Sequence, residues 1–264
     1  MRVGDLEVLA LSDGVYKMEQ GFYVGLDFAR HQDLLAADGR VHIPVGCFLV
    51  RGAGSTVLID AGVGRVEPGP WGHGGELPAQ LRRAGVAPAE VDTVVCTHLH
   101  IDHIGWLVDA GAPFFPNATI RYGAGDWQPF VAERDAGDRG RQIMESLAAA
   151  GRLEPIDGDM APIAPGVTAR HTPGHTPGHY GLVLSSGDDR AYVLGDAVEC
   201  PLQLSEPDFH AMSDVDPALA ARTRERLWRE LEGTAALVTG AHFPGLAFGR
   251  VVTASGRRYF APAA

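Results

Sequence analysis

Four side chains that commonly bind metals are crowded into the segment CTHLHIDHIGW, residues 96–106: His98, His100, Asp102 and His103. The apolar run before them, residues 91–96, has the β-branched composition of a buried strand. If the chain is still extended at residues 98–100, the first two imidazoles share a face, because side chains alternate along a strand. The second pair lies where the pattern turns helical. One short segment therefore predicts ligands for two adjacent metal positions.

A metal site for hydrolysis needs further ligands, because such a zinc typically takes three protein ligands and leaves a position for water. Asp196 follows the apolar run at residues 191–194, and His242 follows another at residues 236–238. A third candidate, His175, lies in the loop HTPGHTPGHYG between two strand-like runs. All three are predicted at strand ends, where open sheets place their sites. The residues alone leave His171 and His179 of the same loop as alternatives to His175.

The order of these residues, H-x-H-x-D-H followed by a loop histidine, a strand-end aspartate and a last strand-end histidine, resembles the metallo-β-lactamase-fold hydrolases with a dinuclear centre. LIDAG, residues 58–62, is similar to that family's early strand-end Asp motif. The segments GDAVECPLQ, SDVDPALA and TGAHFPGLAFG look most like its methyl parathion hydrolase and lactonase branch. The resemblance covers most of the chain and favours His175 within its loop. It implies one metal on His98, His100 and His175, a second on Asp102, His103 and His242, and Asp196 as the bridge.

The same resemblance implies two Zn²⁺ ions per chain, with Fe, Mn or Co as alternatives. A metal-bridging hydroxide would then cleave lactone, ester or phosphotriester bonds, the metals stabilising the negative charge that develops on the substrate. Asp196 would hold the bridge, and Asp102 would both ligate and relay a proton. The chain departs from the acyl-homoserine lactonases at Glu199, three residues after the bridging aspartate, where those enzymes carry a tyrosine.

Other residues are expected around the ligands. Asp60 is predicted to orient a ligand histidine, because ligating imidazoles commonly give their other N–H to a carboxylate; a helix or turn cap is the alternative. His179 is expected behind the ligands or in the core. Trp106, Glu199 and Phe243 are candidates for contacts with the substrate. The two aromatic residues are equally expected in the core, since aromatic side chains dominate both cores and binding surfaces.

Other functions fit parts of this pattern. A thioesterase or a β-lactam hydrolase could use the same metal centre. A diiron oxidoreductase would ordinarily replace the second histidine of H-x-H with a carboxylate and add a flavin domain, so His100 and the chain length oppose it. A nuclease would need an added RNA-binding surface. The formal charge of −11, from 22 basic and 33 acidic residues, opposes that reading and any contact with anionic membranes.

Length and composition indicate one α/β domain over residues 1–264, with 45% hydrophobic residues. Within this α/β fold class, the resemblance implies a four-layer αβ/βα sandwich. Three cysteines without C-x-x-C spacing favour a reducing compartment. We find no signal peptide and no apolar run long enough to span a bilayer, so a cytoplasmic location is expected. The expected partner is a small-molecule substrate, without nucleic acid or membrane, and a homodimer is left open.

Periodicity and turn residues predict the main elements around the site. Strands are expected over residues 6–11, 46–51, 56–60, 91–96, 118–122, 167–171, 182–184, 191–194 and 236–238. Helices are expected over residues 77–84, 141–150 and 217–231, the last with Asp216 as its N-cap.

Overall fold

The computed structural model describes residues 1–206 and 208–263. The helices are α1 (Leu77–Arg83), α2 (Ile101–Ile104), α3 (Arg139–Ala149) and α4 (Pro217–Leu231). The strands are β1 (Arg2–Val3), β2 (Leu6–Met18), β3 (Tyr23–Val24), β4 (Val41–Gly52), β5 (Ser55–Ile59), β6 (Val66–Gly69), β7 (Gly72–Gly74), β8 (Thr93–Val95), β9 (Val108–Asp109), β10 (Ala112–Pro113), β11 (Thr119–Gly123), β12 (Leu153–Ile156), β13 (Met160–Ala164), β14 (Val167–His171), β15 (Tyr180–Ser186), β16 (Asp189–Val193), β17 (His210–Ala211), β18 (Leu237–Thr239), β19 (Gly249–Ala254) and β20 (Arg257–Pro262).

Two sheets form the centre of the molecule. The first has the strand order β12-β11-β8-β5-β4-β2-β7-β6, with β1 paired to β2. The second has the order β13-β14-β15-β16-β18-β19-β20. Strands β5, β8 and β11 run parallel to one another in the first sheet, and β16 runs parallel to β18 in the second. The site is built at the ends of these parallel strands.

Alternation along the strands divides the apolar side chains between an inner and an outer layer. In β4, Phe48 and Val50 pack between the sheets, against residues such as Leu182 of β15. Their neighbours Cys47 and Leu49 face the other way. Because successive side chains in a strand point to opposite faces, a strand covered on both faces needs apolar residues at nearly every position. The run GCFLV at residues 46–50 has that composition.

Helices cover the outer face of each sheet. Leu77 and Leu81 of α1 and Met144 of α3 pack with the outer residues of the first sheet. Leu227 and Trp228 of α4 pack on the second sheet. The order is therefore helix, sheet, sheet, helix, which confirms the predicted α/β class and the four-layer αβ/βα sandwich.

The predicted elements correspond to observed ones, with shifts at their ends. Strand β2 continues to Met18, past the predicted end at residue 11, and pairs with β4 along nearly its whole length. Helix α3 begins at Arg139, two residues before the predicted start, because the Asp138 side chain accepts a hydrogen bond from the Arg141 N–H and caps it. Asp216 caps α4 in the same way, as predicted.

None of the helices in the described residues is both long and apolar enough to cross a membrane.

Candidate metal centre

The sheet register brings distant segments to one edge. Ile59 of β5 lies beside Val95 of β8, so Asp60 and the segment from Thr97 leave the first sheet together. Val193 of β16 lies beside Thr239 of β18, which sends the segments carrying Asp196 and His242 out of the second sheet at one edge. Parallel neighbours place their carboxyl ends at the same edge, and this edge is where open sheets hold their sites.

Three imidazole nitrogens meet in a first cluster. His98 Nε2 is 2.9 Å from His100 Nδ1 and 3.2 Å from His175 Nε2. His175 Nε2 is 3.0 Å from His100 Nδ1. Zinc binds histidine nitrogen at roughly 2.0–2.1 Å in tetrahedral sites, which puts neighbouring ligand atoms a little over 3 Å apart. The triangle of nitrogens therefore has the dimensions of one face of such a site.

A second cluster combines two imidazoles with a carboxylate. Asp102 Oδ2 lies 3.4 Å from His242 Nε2 and 3.6 Å from His103 Nε2. His103 Nε2 is buried and has no hydrogen-bond partner among the described residues. A buried polar atom without a partner is costly, so this nitrogen fits a group that can accept its lone pair.

Asp196 lies between the two clusters. Its Oδ2 atom is 3.5 Å from His175 Nε2 and 3.8 Å from His98 Nε2 in the first cluster. The same oxygen is 3.4 Å from His103 Nε2 and 3.2 Å from His242 Nε2 in the second. Its Oδ1 atom is buried without a hydrogen-bond partner in the described part of the chain. One carboxylate thus faces both sets of nitrogens.

Hydrogen bonds on the outer side of the rings turn the lone pairs inward. His242 Nδ1 contacts the Pro44 carbonyl oxygen at 2.7 Å, and His103 Nδ1 contacts Asp60 Oδ2 at 2.9 Å. His175 Nδ1 contacts Asp214 Oδ1 at 2.9 Å. Carbonyl and carboxylate oxygens only accept, so each of these Nδ1 atoms carries a proton and Nε2 is the atom left to bind a metal, once any proton held there by the nearby carboxylates is released. This tautomer is the one a metal requires.

Asp60 lies behind His103, one of the candidate ligands. Its carboxylate accepts hydrogen bonds from the Thr97 N–H at 2.7 Å and from the Thr97 hydroxyl at 2.9 Å, in addition to the His103 ring. Asp60 also has a positive φ of 61°, a sparsely populated region for a residue with a Cβ. Such strain persists where surrounding contacts over-determine the conformation, and it clusters at functional sites.

The loop HTPGHTPGHYG, residues 171–181, is called the TPGH loop, and its three histidines have different surroundings. His175 joins the first cluster and is fully buried. His179, also buried, accepts a hydrogen bond from the Asp196 N–H at 3.0 Å and contacts the Thr172 hydroxyl at 2.7 Å, so it positions the backbone of Asp196. His171 lies outside the cluster and contacts the Pro177 carbonyl oxygen.

Burial and the carboxylates act on these rings in opposite directions. Burial, together with the neighbouring imidazoles, holds the pKa values of His98 and His100 well below the usual value for histidine. Burial also lowers the pKa of His242, but Asp196 and Asp102 outweigh it and raise that pKa to about 9. Burial also lowers the pKa of His175, but the hydrogen bond to Asp214 and the charges of Asp196 and Glu199 outweigh it and raise that pKa. The surroundings therefore keep His98 and His100 neutral and favour the charged forms of His175 and His242.

The donor set fits two divalent cations. Five imidazoles and two carboxylates converge in a buried region, and nitrogen and oxygen ligands of this kind suit zinc, iron, manganese or cobalt. His98, His100 and His175 would hold one cation, Asp102, His103 and His242 would hold the other, and Asp196 would touch both.

The profile of the Metallo-beta-lactamase superfamily matches residues 43–242, well over half of the chain. The chain belongs to the metallo-β-lactamase superfamily. The matched range runs from β4 to His242 and includes all seven of these side chains. The family suspected from the sequence motifs is thereby confirmed.

Known members of the metallo-β-lactamase superfamily align over parts of the chain or over all of it. Metallo-beta-lactamase domain-containing protein 1 of Xenopus laevis is 41% identical over 75 residues, 28% of this chain and 26% of that protein. The N-acyl homoserine lactonase of Bacillus cereus is 25% identical over 177 residues, 61% of this chain and 66% of that protein. These alignments thus span less than two thirds of either relative.

A solved structure of this metallo-β-lactamase fold superposes along the whole chain. It is AidC, a dizinc quorum-quenching lactonase in complex with the product N-hexnoyl-L-homoserine. The TM-score is 0.86 at 22% identity, covering 100% of this chain and 96% of that one. The likeness shows that the two share a fold.

Two of the predicted substrate contacts lie elsewhere in this metallo-β-lactamase fold. Trp106 is 1% exposed, packs in the core of the first sheet and donates its indole N–H to Asp13 Oδ1 at 2.8 Å. Phe243 is fully buried beside α4 and packs edge-on against Phe260. Neither lines the cleft beside the ligands. The correction has a simple cause: large aromatic side chains near a strand end were equally well placed to complete a core.

Glu199 lies behind His175 rather than in the cleft. Its Oε1 atom is 3.5 Å from His175 Nδ1 and accepts a hydrogen bond from the Ser213 hydroxyl at 2.7 Å. Burial and the charge of Asp196 raise the pKa of Glu199 to about 7. Ser213, in contrast, lines the cleft. Direct contact between Glu199 and a substrate is therefore not supported by this placement.

Sequence reasoning missed the group that holds His175. Asp214 contacts the His175 ring through Oδ1, and its Oδ2 atom pairs with Arg224 at 3.3 Å. Both are buried, with Arg224 reaching in from α4. The segment SDVDPALA was noted for its similarity to relatives, but nothing local distinguishes Asp214 from the acidic residues around it.

Proposed function

We propose that the chain is a metal-dependent hydrolase with a dinuclear centre. The observation that carries the proposal is the position of Asp196 Oδ2, within 3.8 Å of ligand nitrogens from both clusters. One carboxylate facing two sets of three ligands suits a pair of divalent cations. Zn²⁺ is the proposed metal, with Fe, Mn and Co as alternatives, because the ligand set by itself does not select among them.

Two bound cations would lower the pKa of a water and stabilise negative charge on a carbonyl or phosphoryl oxygen. The residues of the chain orient the reaction. Asp196 fixes the spacing of the two clusters, and His179 holds the Asp196 backbone in place. Asp102 lies at the cleft with 8% of its surface exposed, so its carboxylate can take a proton from water or pass one to the leaving oxygen.

We propose lactones, aryl esters and phosphotriesters as the substrate class. Their leaving groups are either good ones or would be stabilised by a metal, and the described part of the cleft wall offers no carboxylic acid other than Asp102 and Asp138. Two similar proteins, the Bacillus cereus enzyme and AidC, are named as lactonases, which supports testing lactones first. Thioesters and β-lactams remain alternatives on the same ligands.

A substrate panel on metal-loaded protein tests the proposal. The panel contains a lactone, an aryl ester, a phosphotriester, a thioester and a β-lactam, and elemental analysis accompanies each protein sample. We expect turnover of at least one of the first three, two metal ions per chain and loss of activity when the metals are stripped. Metal-loaded protein that cleaves none of the five would contradict the proposal.

The variant His100→Ala tests whether this residue is a metal ligand. Removing this ligand should empty one position and lower turnover by about a hundredfold or more, since metal-assisted charge stabilisation is lost. His73→Ala is the matched control, because His73 lies on β7 and pairs with Glu76 outside the site. It should retain both metals and full activity. A His100→Ala protein with unchanged metal content and rate would refute the ligand assignment.

A further inference from the structure

The cleft beside the first cluster has a wall of mixed character. It has a volume of about 430 Å³ and opens onto His100 and Asp102. Its apolar lining comes from Tyr16, Leu99, Ile101 and Phe130. Arg134, Asp138 and Arg139 line it as well, at the segment that leads into α3. A substrate held here would meet both apolar surface and charge.

Arg134 is linked to the ligands through one aromatic ring. The Phe130 ring lies edge-on to the His100 ring, with centroids 5.0 Å apart. The Arg134 guanidinium lies over the same Phe130 ring, 5.9 Å from its centroid. Its one ion pair in the described residues is with Asp138, a long contact of 3.5 Å, and its side chain is 50% exposed. The guanidinium therefore retains donors for a ligand near the cluster.

Arg139 is held in a fixed position beside the cleft. Its Nη2 atom donates to the Gly105 carbonyl oxygen at 3.2 Å, just beyond the ligand segment. A Cβ on Gly64 would collide with this guanidinium, so the absence of a side chain at Gly64 provides the space that Arg139 occupies. This is the one side-chain hydrogen bond of Arg139 among the described residues, which leaves most of its five donors available.

The segment that leads into α3 gives its part of this wall a positive charge, opposite in sign to that of the whole chain, while Asp102 adds one negative charge at the ligand end. Two arginines face one aspartate, and that aspartate is already engaged with Arg134 and the first turn of α3. The chain as a whole carries a formal charge of −11. Local positive charge in a cleft raises the local concentration of anions, and guanidinium groups match the planar shape of a carboxylate.

We propose that this cleft selects ester or lactone substrates that carry a carboxylate at the far end of an apolar acyl chain, with Arg134 and Arg139 binding that carboxylate. The inference rests on the proposed hydrolase function. In the reaction, water adds its oxygen to the acyl carbon and the acyl–oxygen bond breaks. One proton of the water goes to the leaving oxygen, and the other is released as the new carboxylic acid ionises. An ester gives a dicarboxylate and an alcohol, and a lactone gives one hydroxy-dicarboxylate.

Two isosteric esters test the inference. Para-nitrophenyl hexanoate is neutral, and mono-para-nitrophenyl adipate replaces its terminal methyl with a carboxylate. We expect the native enzyme to favour the adipate ester by about tenfold in kcat/KM, the size of one charge-assisted contact. The difference should lie in KM, since the carboxylate contact is the same in ground and transition states.

Arg134→Gln should abolish the preference, measured as the ratio of kcat/KM for the two esters within the same variant, because only the acidic ester loses a contact. Arg139→Gln should do the same, with metal content and circular dichroism checked because this residue also holds Gly105. Arg82→Gln is the matched control, an exposed arginine on α1. Equal kcat/KM for both esters in the native enzyme, or an unchanged preference in Arg134→Gln, would overturn the inference.

Calorimetry separates failure of this inference from failure of the proposed function. If metal-loaded protein cleaves neither ester, binding of adipate and hexanoate is compared instead. Tighter binding of adipate by the native protein, lost in Arg134→Gln, supports the carboxylate site without hydrolysis. Equal binding of the two acids, or adipate binding that is unchanged in Arg134→Gln, rejects the site.

Discussion

The imidazoles of the centre depend on the atoms behind them. His175 is held by Asp214, which is held in turn by Arg224, and all three are buried. His103 is held by Asp60, and His242 by the Pro44 carbonyl oxygen. These outer contacts fix both tautomer and ring orientation, so metal affinity should depend on them almost as much as on the ligands.

Asp214→Ala tests this dependence. The change leaves the His175 Nδ1–H and the buried Arg224 without their partner, and we expect metal affinity to fall by about 10- to 100-fold. Competition with a chromophoric chelator measures the affinity. Asp188→Ala, in the exposed turn between β15 and β16, is the control and should bind metal normally. Native affinity in Asp214→Ala would show that Asp214 does not position His175.

Six of the seven candidate ligands could be selected from the sequence because four lie within six residues and two, Asp196 and His242, follow apolar runs. His175 was favoured over His171 and His179 by the family resemblance. That all seven bind metal stays a prediction. Asp214 could not be selected, since it lies 39 residues from the ring it contacts and has no local signature. The failure at Trp106 and Phe243 has the same origin: sequence shows that an aromatic residue is near the motif but not which face it packs on.

Among the secondary-structure elements, the segment carrying Asp126 connects two loops that carry candidate ligands, one after β8 and one between β14 and β15. Its buried carboxylate accepts hydrogen bonds from the Leu99 N–H at 3.1 Å, the Thr176 hydroxyl at 2.9 Å and the Gly178 N–H at 2.6 Å. Burial raises the pKa of Asp126 above its usual value despite these bonds. The segment after β11 thus joins the end of β8 to the TPGH loop.

Asp126→Ala should lower the free energy of unfolding by about 2–4 kcal/mol, because three buried donors lose their acceptor. Urea denaturation in the presence of a chelator measures this without a contribution from bound metal. Asp135→Ala, an exposed aspartate nearby, should change the value by no more than about 0.5 kcal/mol. If both variants unfold at the same urea concentration, Asp126 does not join the loops energetically.

Element types were easier to predict than element ends. Helix α4 could be predicted because its N-cap residue, its first-turn proline and the spacing of its apolar residues all indicate a helix that begins at the same place. The hairpin of β19 and β20 was missed: its sequence GRVVTASGRRYFAP is rich in arginine and lies at a sheet edge, so one face lacks the apolar residues that signal a strand. Tertiary pairing with β18 decides its conformation.

At the scale of the whole molecule, the proposed centre joins the two halves of the sandwich. His98, His100, Asp102 and His103 follow strand β8 of the first sheet, whereas His175, Asp196 and His242 come from the second. A metal bound to ligands from both halves stabilises the folded state over the unfolded chain by mass action.

Removal of metal should therefore lower the Tm. With free metal at about a hundred times Kd the stabilisation is about 2.7 kcal/mol, which corresponds to a decrease of about 5–10 °C on chelation for a chain of this size. Differential scanning calorimetry with and without EDTA measures it. EDTA already saturated with the same metal that was loaded into the protein serves as the control. An unchanged Tm after complete removal of metal would show that the ion does not join the halves.

Seven side chains are proposed to hold two cations, and anomalous diffraction at the zinc absorption edge can locate both ions without reference to activity. Crystals of protein loaded with zinc should give two anomalous peaks per chain, about 3.5–4 Å apart. One should lie among His98, His100 and His175, the other among Asp102, His103 and His242, with Asp196 touching both. No peak at these residues, or peaks only elsewhere on the chain, would refute the assignment of a dinuclear centre.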